Sequence, residues 1–102
     1  MEEFIVSTLS QQDPTLVDLV EECISELPNL ASQLREALQQ NDFEKAARIA
    51  HNIKGAGGSY GFEPVALKAA SLEQLCLKGD LKSAEQELQE LLSLLPRLRA
   101  KP

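Results

Sequence analysis

The sequence predicts an all-α chain: an antiparallel, up-and-down four-helix bundle with a short additional N-terminal helix. Three observations carry this. Apolar residues recur at helical spacing in four long segments, separated by Asn-Asp, Gly and Pro punctuation. The connections at 40–42, 60–63 and 79–80 are short, which forces consecutive helices to lie antiparallel. No segment alternates apolar and polar residues as a half-buried strand does. The chain of 102 residues makes one domain, 1–102, large enough for one core. Apolar residues are 43% and aromatics only 4%, so Leu, Ala, Ile and Val must fill that core through aliphatic ridges.

Each element has its own signal. Residues 2–11 suit a short first helix, with Phe4, Ile5 and Leu9 on one face. Asp13-Pro14 is a start signal, with Asp as N-cap and Pro at the first helical position. Leu16, Val20, Ile24, Leu27, Leu34 and Leu38 then form one stripe. Pro28 falls inside it and removes the amide that would bond the Ile24 carbonyl, so a kink or short break is expected in one long, bent helix. Asn41 or Asp42 caps the next helix, whose buried face is Phe43, Ala46, Ala47, Ala50 and Ile53 and whose end lies near Gly61. Glu63-Pro64 restarts the chain, with Val65, Ala69, Leu72 and Cys76 as the stripe. Gly79-Asp80 is a stop followed by a cap. The last helix carries Leu81, Ala84, Leu88, Leu91, Leu92, Leu95 and Leu98, and Pro96 disturbs its end.

Composition narrows the partners. The net charge is −6 and the pI about 4.7, so phosphate backbones and anionic membrane surfaces repel the chain. No apolar run approaches the roughly 20 residues of a membrane span. The acidic Met1-Glu2-Glu3 start is wrong for a secretory leader. A cytoplasmic, monomeric protein is the expectation. Cys23 and Cys76 then read as reduced packing residues, and one His with two distant Cys does not make a zinc site.

The segment "HNIKGAGGSYGF" holds four of the five glycines, directly after the only histidine. Glycine costs about 1 kcal/mol relative to alanine inside a helix. Advancing ~100° per residue from Phe43 places the buried face on one side and His51 on its flank. Gly55 and Gly58 share that flank at i+4 and i+7, and Lys54 adjoins it at i+3. The glycines strip side chains from the surface beside the imidazole, so a large object can approach the ring. A neutral imidazole is a usable nucleophile near pH 7. Lys54 can offset the charge of a phosphoryl group placed there. The same glycines would also suit a helix end or close helix packing. Nucleotide-loop patterns fail: Tyr60 stands where a dinucleotide fingerprint needs its third glycine, and no Gly-Lys-Ser/Thr is present.

"AHNIKGAGGSYGF" resembles the signature of histidine-containing phosphotransfer (HPt) domains: His, two residues, Lys-Gly, then small residues and a further Gly. Asp13-Pro14, the proline within the second helix, Asn-Asp before the histidine helix, Leu72-Glu73 and Gly79-Asp80 extend the resemblance over nearly the whole chain. The "SYGF" ending is also similar to the phosphotransfer domain of chemotaxis histidine kinases. The resemblance implies a four-helix bundle that takes a phosphoryl group onto His51, at Nε2, from a receiver-domain aspartyl phosphate or a kinase. The group then passes to another receiver in two-component signalling. It implies charge stabilisation by Lys54, close approach at Gly55 and orientation of the other ring nitrogen by Glu73. Partners would be response-regulator receiver domains and a hybrid sensor kinase. No cofactor is expected on this chain, with Mg²⁺ on the receiver, and no autonomous kinase activity. Rival readings are a helical adaptor that binds a receiver or kinase without transfer, and an excised domain of a hybrid or chemotaxis kinase. The Met start and the end soon after the last helix favour a free-standing protein.

Overall fold

The computed structural model describes residues 3–102. In chain order the elements are β1 (Ile5–Val6), α1 (Thr8–Gln12), a 3-10 turn (Pro14–Leu16), α2 (Val17–Gln39), α3 (Phe43–Ser59), α4 (Glu63–Leu77), α5 (Leu81–Leu94), a second 3-10 turn (Leu95–Arg97) and β2 (Leu98–Arg99). The four long helices form the all-α bundle that the apolar stripes predict. α3 and α4 pack most extensively, α2 lies against α3, α5 against α4, and α2 with α5 closes the ring. Val20, Leu27, Leu34, Ala50, Ile53, Val65, Leu72 and Leu91 are buried at its centre. Phe62, at the turn between α3 and α4, is the largest fully buried side chain. Each such Leu, Ile, Val or Phe stabilises the fold by about 1.5–3 kcal/mol relative to exposure.

The three helix–helix turns share one device. Asn41, Gly61 and Gly79 adopt φ of +57°, +82° and +70°, the left-handed conformation that closes a helix C-terminus. The next residue's amide reaches back to a carbonyl five positions earlier: Asp42 to Ala37 at 2.9 Å, Phe62 to Gly57 at 2.7 Å, Asp80 to Leu75 at 3.1 Å. Asp42 and Asp80 then cap the following helices, accepting from the amides of Lys45 at 3.1 Å and Ser83 at 3.2 Å. Asp42 is therefore the cap and Asn41 the left-handed residue before it.

Several expectations need correction. The first helix is shorter than 2–11, comprising Thr8–Gln12 (Glu2 lies outside the described residues). Ile5 and Val6 instead pair in parallel with Leu98 and Arg99 as a two-stranded sheet. Two β-branched residues are too few to show alternation, and their partner strand arrives from the far end of the chain. The last helix correspondingly ends at Leu94, and Leu98 belongs to β2. Pro96 sits in the turn between them, where its missing amide is harmless. Pro28 does not break α2, which runs unbroken from Val17 to Gln39. Its ring is exposed, so it meets solvent rather than the core. Asp13 caps as expected, accepting from the Thr15 amide at 3.1 Å, although the first turn after it is 3-10.

The glycine cluster divides by role. A Cβ at Gly57 would lie 2.9 Å from the Ala66 amide nitrogen and 3.1 Å from Val65 Cγ1, so Gly57 lets α4 approach α3. A Cβ at Gly55 or Gly58 would meet nothing within 4 Å. Gly57→Ala should therefore destabilise the fold by about 1–3 kcal/mol in urea unfolding, because overpacking forces the helices apart. Gly55→Ala and Gly58→Ala should each stabilise it by about 0.5–1 kcal/mol, since both lie in a helix with open space around them.

Cys23 and Cys76 are buried free thiols. Burial pushes each up from 9.0 to about 11, and the Glu73 carboxylate adds to the effect at Cys76. A thiol whose folded pKa exceeds its unfolded value contributes stability that is full below the unfolded pKa. That contribution is lost as pH rises through the folded one. The urea midpoint should fall as pH climbs from 9 towards 11. It should fall less steeply in the Cys23→Ala/Cys76→Ala double variant.

Candidate functional site

His51 sits at the middle of α3, on the flank that the helical arithmetic predicts. Its side chain is 62% exposed. One side of the ring faces α4, where Glu73 approaches: Nδ1 lies 3.2 Å from Oε2 and 3.4 Å from Oε1. An ionised carboxylate only accepts, so in the neutral ring the proton resides on Nδ1 and the lone pair on Nε2. Among the described residues Nε2 has no hydrogen-bond partner.

Lys54, one turn along α3, reaches the same carboxylate, with Nζ 3.6 Å from Glu73 Oε1. The Glu73 side chain is only 17% exposed, while that of Lys54 is 42% exposed. Imidazole and ammonium thus converge on one half-buried anion. The anion is supplied by α4 and both cationic or protonatable groups by α3, so the trio exists only where these two helices lie close. Close packing at Gly57 secures that approach.

Beyond His51, in the C-terminal direction, the surface is bare. Gly55 and Gly58 are exposed at i+4 and i+7 with open space above them. On another face of α3 a trough lies between it and α2. Its apolar lining is Leu19, Leu27, Leu30, Ala56 and Tyr60, and Glu22 and Glu26 supply acidic groups. Leu19 is 45% exposed. The periodicity missed this trough because it depends on how two helices sit side by side.

The structure thus brings His51, Lys54 and Glu73 into one cluster and places Gly55 beside it. Ser7, fully buried at the end of α3, passed unnoticed in the sequence because an isolated Ser near a terminus carries no pattern. Among the described residues His, Cys, Asp and Glu form no group of three able to hold a metal ion. Among them, too, no helix is long and apolar enough to cross a membrane.

The family model of the Hpt domain matches residues 18–101, the greater part of the chain. Searches of curated proteins and of solved structures gave no significant match. Hpt domains are phosphocarrier modules rather than kinases, and they work with receiver domains and histidine kinases in phosphorelays. An all-helical bundle, an exposed histidine on its third helix and a match across that whole bundle agree, and the chain belongs to the Hpt domain family.

Proposed function

We propose that this chain is a phosphorelay intermediate carrying its phosphoryl group on His51 Nε2. It takes the group from a receiver's aspartyl phosphate, or from a kinase, and delivers it to another receiver. The observation that carries this reading is the pairing of His51 Nδ1 with Glu73 at 3.2 Å, which directs the lone pair to the exposed nitrogen.

The step balances without any group being consumed. The Nε2 lone pair attacks phosphorus in line with the bond to the aspartyl oxygen. The N–P bond forms as the P–O bond breaks, and the aspartate leaves as a carboxylate. The ring keeps its Nδ1 proton and so gains positive charge, which the Glu73 carboxylate offsets. Lys54 is parked 3.6 Å from Glu73 and within reach of the ring's neighbourhood, so it can turn to the new phosphoryl oxygens. Phosphoryl transfer is mostly positioning and charge stabilisation, and a rigid helix pair supplies both. Mg²⁺ and the acidic residues that bind it belong to the receiver in this scheme. The reverse step uses the same contacts, as a relay requires.

Gly55 and Gly58 give the receiver's active-site rim a side-chain-free ledge. The trough between α2 and α3 offers it an apolar seat, and Glu22 and Glu26 favour a receiver presenting Lys or Arg there.

The test is phosphate transfer from a panel of phosphorylated receivers. Wild type should acquire acid-labile, base-stable label, and His51→Gln should stay folded and unlabelled. Label on His51→Gln would place the phosphate elsewhere, and receiver binding without label on wild type would make the chain an adaptor. Glu73→Ala should slow transfer by about ten- to a hundredfold, the loss typical when the group orienting a histidine is removed. Gly55→Leu should impair transfer while leaving the urea midpoint at or somewhat above that of wild type.

A further inference from the structure

The N-terminal segment before Asp18 lies outside the span matched by the Hpt family model. It is nevertheless bound tightly to the bundle, and it is bound at the end of the histidine helix. Ser7 is the centre of this attachment and is fully buried. Its hydroxyl donates to the Tyr60 carbonyl at 2.6 Å and accepts from the Ser10 amide at 3.2 Å. Its own amide donates to the Arg99 carbonyl at 2.9 Å. One residue on, the Thr8 amide donates to the Gly61 carbonyl at 3.0 Å. The strap passes so close that a Cβ at Gly61 would fall 2.8 Å from the Thr8 amide nitrogen. Gly61 is thus required twice, for its left-handed φ and for the strap's passage.

Tyr60 is where this attachment meets the site. It is the C-cap of α3, and it also lines the trough between α2 and α3. We propose that Ser7 is a positioning residue for receiver docking: its buried hydrogen bond to Tyr60 holds that end of the trough in the shape the receiver meets. This rests on the phosphorelay reading above. His51 is about two and a half helical turns from this contact, so Ser7 acts on docking and leaves the chemistry of the ring alone.

Ser10 supplies an internal control. It is buried in the same strap, and its hydroxyl donates to the Ala100 carbonyl, with a longer contact of 3.5 Å to the Ser7 carbonyl and none to the α3–α4 turn. Losing it weakens the strap without releasing Tyr60.

The experiment compares wild type, Ser7→Ala and Ser10→Ala in transfer from a phosphorylated receiver, with receiver concentration varied. Direct labelling by phosphoramidate, which needs no docking, runs alongside. Ser7→Ala should raise the KM for the receiver by about five- to tenfold, the scale of one buried hydrogen bond, with kcat near wild type. Ser10→Ala should stay within about twofold of wild type, although both variants lower the urea midpoint. Phosphoramidate should label all three at the same rate. If Ser7→Ala does not fold, Ser7→Cys keeps the volume, weakens the bond and is read the same way. An unchanged KM in the Ser7 variant, or an equal rise in Ser10→Ala, overturns the positioning role and leaves the relay reading standing. A wild type that phosphoramidate labels but no receiver does overturns both.

Discussion

The close approach of α3 and α4 is the constraint on which the rest depends. A helix pair can come this near only where one partner lacks a side chain, and Gly57 provides that place against Val65 and Ala66. The approach draws Glu73 up to His51 and Lys54 across the helix boundary. A wider separation would leave the carboxylate in water and the imidazole free to choose either tautomer. The packing link and the chemical link are therefore one feature seen at two positions, 57 and 51, about two turns apart on the same helix.

Helices and caps were legible because they are written locally. Asp13, Asp42 and Asp80 announce helix starts by side-chain chemistry acting within three residues, and each behaves so in the structure. The stripes from Val20 to Leu38 and from Val65 to Cys76 announce a buried face through one period. The flank position of His51 followed from the same arithmetic. Partnerships across the chain were not legible. β1 pairs with β2 over more than ninety residues of separation, and two-residue strands leave no periodic trace. Phe62 reads as a turn residue beside Gly61 yet fills the core, because the turn folds it inward.

The glycine cluster shows how one composition signal holds several physical causes. Gly57 answers to helix packing, Gly61 to backbone conformation and the crossing strap, and Gly55 and Gly58 to neither. Sequence offered close packing, a helix end and cleared surface as explanations of the whole cluster, and each applies to a different residue. The two glycines without an internal reason are the two beside the histidine. Evolution tolerates a helix-weakening residue where something outside the molecule needs the space, so these two positions speak most directly for an approaching partner.

In this mechanism Glu73 holds the Nδ1 proton and leaves Nε2 to take the phosphoryl group. The chain has a single histidine, so its two ring nitrogens can be observed without assignment ambiguity. The most direct measurement is long-range ¹H–¹⁵N NMR on histidine-labelled protein before and after phosphorylation by a receiver. The resting ring should show a protonated Nδ1 and an unprotonated Nε2 near neutral pH, and the phosphorylated ring should carry its ³¹P coupling on Nε2. A resting proton on Nε2, or a phosphoryl group on Nδ1, would contradict the role given to Glu73 and the mechanism built on it.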